Sequence, residues 1–318
     1  MGAKFGAAVL SAAVVLAACQ EPSAPPTSSH SAAEFATKQT ATGLGPAERA
    51  ALIADRVNAR LAAKGVRMRL GGATFFTIGK GVPAFRRLRI GARWQKRDLH
   101  YILDDAHYTT DVPAPDVDAA LVAAQASWNT VQNAGISTTR VRPKPAGNIE
   151  LLDQIILDPN GVCVDVQDPN FEGPFADIVT YGWIDPAYFA NCLGSDQIIG
   201  VTWIFFDPSD ANHDNFADLV YIEQYFNPAF KYTTTDAVYL DFAAPIDIQS
   251  VLVHEDGHAL GLDHTGGPNP NQPFTVKPNG RVFSPEAIMN PFYLGGEKRS
   301  LFPLDMAALR SLYARSNE

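Results

Sequence analysis

The sequence predicts an α+β domain, and three observations carry that reading. Apolar residues recur at helical spacing in residues 46–64 and 117–131, which places amphipathic helices near the start and in the middle. Beyond the second lie five β-rich runs, at residues 149–157, 177–184, 198–206, 219–226 and 237–242, separated by glycines, prolines and aspartates. Residues 251–265 read as a further helix that stops at Gly261, where a left-handed turn suits a residue without a side chain.

In chain order, Pro46 opens the first helix, Ala51, Leu52, Val57 and Leu61 fall on or near one side of it, and Gly65 ends it. Strand-like pieces follow around Gly71-Gly72 and Gly79-Lys-Gly81, so that residues 46–90 form a pro-segment or an added scaffold ahead of a domain at 91–318. In the helix of residues 117–131, Val117, Leu121, Ala124, Trp128 and Val131 make an apolar stripe of core residues. Asp247 suits the N-cap of the later helix, with Ile246 and Val251 placed as a hydrophobic staple.

That later helix carries Val251-Leu-Val-His-Glu-Asp-Gly-His-Ala-Leu-Gly-Leu-Asp-His-Thr265. His254 and His258 are four residues apart and project from one face, so both imidazoles reach a single ion. The turn at Gly261 brings His264 back as a third ligand. Imidazole is a good zinc ligand, and three protein ligands leave a fourth position for water. Glu255, about 100° further round the helix than His254, flanks the metal in a general base's position. Three of the chain's seven histidines within eleven residues make a chance surface cluster a poor account.

The pattern H-E-x-x-H-x-x-G-x-x-H resembles that of the metzincin zinc peptidases. Thr265 after the third histidine and Pro291 two residues after Met289 are closest to the matrixin branch, and Ala287-Ile-Met-Asn-Pro291 resembles its Met-turn, with Met289 as an apolar floor beneath the histidines. The resemblance implies a zincin-type domain with a twisted mixed sheet, a long first helix, an active-site helix and a closing helix at 303–313. It also implies a zinc endopeptidase acting on protein or peptide substrates. An extended peptide would then lie along an edge strand, for which residues 198–206 are the candidate. Tyr293 stands two residues beyond the position of a fifth tyrosine ligand and is not assigned to zinc. Three features depart from the pattern: Met289 lies 25 positions after His264, Asp256 replaces an apolar residue, and residues 20–90 contain no cysteine for thiol-to-zinc latency.

Composition bounds the setting. A net charge of −9 and a pI near 5.2 argue against nucleic acid or anionic membrane as a partner, and the basic run 86–97 alternates with apolar residues as a solvated strand face does. Residues 1–18 have the layout of a secretory signal, and Leu16-Ala-Ala-Cys19 resembles a bacterial lipoprotein signal, in which Cys19 is acylated. Residues 19–45, rich in Ser, Ala, Thr and Pro, read as a disordered tether. The expected setting is an exported lipoprotein at the outer membrane or cell surface, held only by its N-terminal lipid.

Cys163 and Cys192 remain, as a disulfide or as two thiols. Asp207, Asp210, Asn212, Asp214 and Asp218 form either a structural calcium loop or a plain Asx-rich turn; the EF-hand spacing is broken by Asn215 and Tyr221. His213 has no matching partner histidines for a second zinc. Two alternatives to an endopeptidase stand: a non-catalytic zinc-containing surface lipoprotein, and a zinc amidase acting on cell-wall peptides.

Overall fold

The described residues of the computed structural model are 44–78, 91–142, 155–157, 163–165, 176–209, 214–235, 237–238, 243–265, 267–268, 283–284 and 286–313. The expected signal, Cys19 and the tether up to residue 43 lie outside them, as do residues 79–90 and Asp210, Asn212 and His213.

Helix α1 (Pro46–Ala63) begins at a proline, whose missing N–H would lack a helical partner there in any case, and Gly65 turns the chain out at φ 72°. Its buried stripe is Ala50, Ile53, Ala54, Val57 and Leu61, so the expected Ala51 and Leu52 are displaced towards solvent by one step of the helical period. Strand β1 (Arg69–Ile78) runs through Gly71-Gly72, followed by β2 (Ala92–Trp94) and β3 (Asp98–Leu103). Helix α2 (Ala114–Asn129) starts just after Pro113, earlier than the apolar spacing alone predicts, and buries Val117, Leu121, Ala124 and Trp128.

Strands β4 (Ser137–Arg140), β5 (Ile155–Leu157), β6 (Cys163–Asp165), β7 (Ile178–Trp183), β8 (Ile198–Asp207), β9 (Ala217–Phe226), β10 (Tyr232–Thr233) and β11 (Ile246–Asp247) lead to α3 (Ile248–Ala259). The short strands β12 (Gly267–Pro268), β13 (Phe283–Ser284) and β14 (Phe292–Tyr293) precede α4 (Pro303–Tyr313). Residues 237–238 are not in a strand.

One mixed sheet of eight strands dominates, ordered β14-β1-β8-β9-β7-β3-β4, with β2 pairing the first part of β9. β3, β4, β7 and β9 run parallel; β8 is antiparallel to β9 and β1 is antiparallel to β8. The fold is therefore α+β. Residues 198–206 are not a free edge, because β1 takes the hydrogen-bonding side of β8 from Arg69 to Thr77, and α1 and β1 belong to the same compact unit as the rest of the described fold.

The two faces of the sheet are covered separately. On one, α2, α3 and α4 bury a core that includes Trp94, Trp128, Ile222, Phe226, Met289 and Tyr313. On the other, α1 and a π-helical turn at Tyr188–Cys192 cover Val201, Trp203, Phe205, Tyr221 and Tyr225. Cys163 is disulfide-bonded to Cys192 with Cα atoms 5.2 Å apart, which ties β6 to that turn. Among the described residues no helix is long and apolar enough to cross a membrane.

Candidate metal centre

α3 begins as its sequence requires. Asp247 accepts from the Ser250 N–H at 2.8 Å, and its own backbone N–H donates to the Tyr293 hydroxyl at 3.0 Å. Two indoles hold the helix: Trp128 Nε1 donates to the Val253 carbonyl and Trp94 Nε1 to the Ala259 carbonyl. Gly261, at φ 86°, turns the chain so that His264 faces the helix, and its close approach to the Ala92 carbonyl leaves no room for a Cβ.

His254, His258 and His264 converge. Their Nε2 atoms lie 3.1–3.2 Å from one another. His254 Nδ1 is 2.7 Å from the Ile288 carbonyl and His258 Nδ1 is 2.8 Å from the Leu262 carbonyl. A carbonyl can only accept, so in both rings Nδ1 carries the proton and Nε2 keeps its lone pair. Lone pairs so placed repel unless a cation lies between them. Three nitrogens at ~2.0–2.1 Å from one tetrahedral zinc stand roughly 3.4 Å apart, close to the spacing found. Burial holds all three imidazoles below the usual histidine range, His258 at about 4, which keeps them neutral and ready to ligate. Among the described residues no other group of three or more histidine, cysteine or carboxylate side chains lies close enough to hold a metal ion.

Glu255 is fully buried beside the histidines. Thr202 on β8 donates its hydroxyl to Oε2, while Oε1 has no hydrogen-bond partner among the described residues. Burial pushes the carboxyl up to about 8; the Thr202 bond opposes that rise and the neighbouring Asp256 adds to it. A cation at the three histidines would reverse the balance. Gly200 makes room for this carboxylate, since a Cβ there would sit 2.7 Å from Oε1. Asp256 faces elsewhere: its Oδ1 accepts from Gln125 of α2 at 2.6 Å and Gln224 of β9 at 3.4 Å, and burial raises its pKa well above the carboxylate range.

Met289 is fully buried under α3. A Cβ on Gly257 would come within 2.3 Å of its sulfur, so the glycine lets the methionine pack against the helix. The turn is held by Asp305 of α4, which accepts from the Ile288 and Met289 N–H groups at 2.9 and 3.2 Å. Thr265 N–H donates to the Met289 carbonyl, coupling the turn to the segment that carries His264. The Tyr293 hydroxyl donates to the Gly296 carbonyl at 2.9 Å and accepts from the Asp247 N–H at the start of α3.

The described members of the proposed calcium loop do not converge. Asp207 accepts from Arg67 and Ser209, Asp214 from Arg93 at 2.7 and 2.9 Å, and Asp218 from Gln95.

Sequence reasoning missed Thr202, Gly200, Asp305 and Phe76, whose ring stacks on His254 with centroids 3.9 Å apart and planes 14° from parallel. None has a local signature; strand pairing and a helix start bring them to the site. Compared with protein-family models and with curated proteins, the chain matches none.

Proposed function

We propose that the chain is a zinc-dependent endopeptidase of the metzincin type, with His254, His258 and His264 as ligands and Glu255 as general base. The observation that carries this reading is the convergence of three Nε2 lone pairs beside a buried carboxylate whose Oε1 has no partner among the described residues. A surface cluster of histidines would have no reason to orient Nδ1 onto backbone carbonyls and to bury a glutamate at the same point. When bound, zinc supplies a Lewis acid that polarises a carbonyl and makes water nucleophilic near neutral pH. Glu255 Oε1 takes the proton of the attacking water and passes it to the leaving amine nitrogen. Thr202 fixes the carboxylate through Oε2, so that Oε1 alone handles the proton. The fold order, the turn at Met289 and the closing helix α4 support the matrixin-like reading, and export as a lipid-anchored protein rests on the sequence around Cys19.

The second reading, a non-catalytic zinc-containing lipoprotein, is favoured by one observation: β1 covers the strand next to Glu255. One experiment separates the two. The purified chain should hold one zinc and cleave a quenched peptide library, chelator should abolish cleavage, and Glu255→Ala should lower kcat by roughly 10²–10⁴-fold with zinc content unchanged. Cleavage at the same rate in Glu255→Ala would remove the base from the mechanism.

A further inference from the structure

β1 lies between two strands that flank the metal centre. It is antiparallel to β8 and parallel to β14, and the Thr77 N–H reaches the Pro291 carbonyl at the start of β14. Its register is specific to the site. Thr74 opposes Thr202, whose hydroxyl holds Glu255, and Phe76 opposes Gly200, which makes room for the same carboxylate. The Phe76 ring covers His254 and meets Tyr293 edge-on at 5.9 Å, and it is 4% exposed. An extended peptide recognised by strand addition needs the backbone groups of β8 on this side, and β1 already uses them. β1 is anchored from behind: Asn58 of α1 both donates to the Leu70 carbonyl and accepts from the Leu70 N–H, and Leu70 and Phe75 pack into the core under α1.

Resting on the peptidase reading, we propose that β1 is a resident occupant of the peptide groove, an internal peptide mimic that keeps the site closed until an incoming chain displaces it. Phe76 takes the place of a guest side chain beside the first zinc ligand. Latency is then encoded by a strand of the chain itself, without the cysteine that residues 20–90 lack.

The probe is a fluorescein-labelled peptide of the β1 sequence, residues 69–78, titrated against the zinc-loaded full chain carrying Glu255→Ala so that it is not consumed. The intact chain should bind it only weakly, because the probe must displace β1. A chain loosened by Phe76→Gly and Thr77→Pro, which removes the guest ring and the N–H to Pro291, should bind at least tenfold more tightly. Equal binding by intact and loosened chains, both folded and holding one zinc, overturns the proposal. A second variant does not depend on loosening the fold: Arg69→Cys with Phe206→Cys joins paired positions at the far end of β1 and β8. With Glu255 intact and the new disulfide formed, this chain should cleave the peptide library at least tenfold more slowly than the single Arg69→Cys variant; equal rates overturn the proposal. Saturable peptide binding by the loosened chain, with no cleavage by its Glu255 counterpart, would leave the groove assignment standing and sink the peptidase reading instead.

Discussion

On the α3 side of the sheet, β8 and β9 present Gly200, Thr202, Ile222, Gln224 and Phe226; on the α1 side the intervening residues are Val201, Trp203, Phe205, Tyr221 and Tyr225. The same two strands thus supply small and hydrogen-bonding residues, Gly200, Thr202 and Gln224, alongside Ile222 and Phe226 to one face, and mostly large aromatic and aliphatic residues to the other, as period-2 alternation allows. Even the charged residue on the α1 side is structural: the Glu223 carboxylate accepts from the hydroxyls of Tyr221 and Tyr225 at 2.8 Å each. One face is built around a shared point for three histidines, the other around packing. A substitution on the first should act through the metal, and one on the second through stability alone.

The largest expected effect is His258→Ala. Losing an outer-shell partner of a metal ligand already weakens binding about 10–100-fold, so losing the ligand itself should exceed ~10²-fold, read by competition against a chelator. Leu61→Ala, on the buried stripe of α1, comes next: a cavity under the aromatic face should cost about 2–5 kcal/mol in denaturant unfolding while zinc affinity stays at its wild-type value. If Leu61→Ala weakened zinc as much as it weakened the fold, the two faces would be one cooperative device and the division drawn above would fail.

Gly257→Ala probes the boundary between metal and packing. The new methyl would meet both the Met289 sulfur and the Trp128 ring, the latter at 2.8 Å, and the ring cannot swing aside as the end of a methionine can. Overpacking of this kind costs about 1–3 kcal/mol. Because the Ile288 carbonyl that orients His254 belongs to the same turn as Met289, zinc affinity should fall with stability here, unlike in Leu61→Ala. Unchanged zinc affinity in Gly257→Ala would uncouple the turn from the ligand.

The division also explains what could be read from the sequence. The three histidines, Glu255, Gly261 and the cap at Asp247 lie within one helix and its exit, where spacing alone fixes geometry, and the strand at 198–206 announces itself by composition. The strand-like character around Gly71-Gly72 was legible, but the place of β1 in the main sheet could not be read, because it comes from pairing with residues about 130 positions away. Thr202 and Asp305 were hidden for the same reason: each meets its partner through the sheet or a helix packing, at a separation no local pattern encodes. Ala51 and Leu52 show the opposite error, apolar residues on a helix whose buried side is set by what it packs against.

The smallest expected effect concerns calcium, and it turns on carboxylates that are already in use. Asp214 is paired with Arg93, which also donates to the Leu312 carbonyl at 2.9 Å and stacks on Phe216, so a calcium ion taking Asp214 would have to release that arginine from the α4 end. Asp207 and Asp218 are register partners on β8 and β9, and each accepts from a side chain of the N-terminal part of the described fold, Arg67 or Gln95. An ion that binds only the folded chain stabilises it in proportion to the logarithm of its concentration over Kd. With three of five candidate ligands spent on protein donors, millimolar calcium should shift the melting temperature by less than ~1 °C. Arg67→Ala, which frees one oxygen of an exposed pair, should change stability by about 0–1 kcal/mol. A rise of several degrees with calcium that disappeared in Asp214→Ala would place the ion in the loop and show that the arginine pair gives way to it.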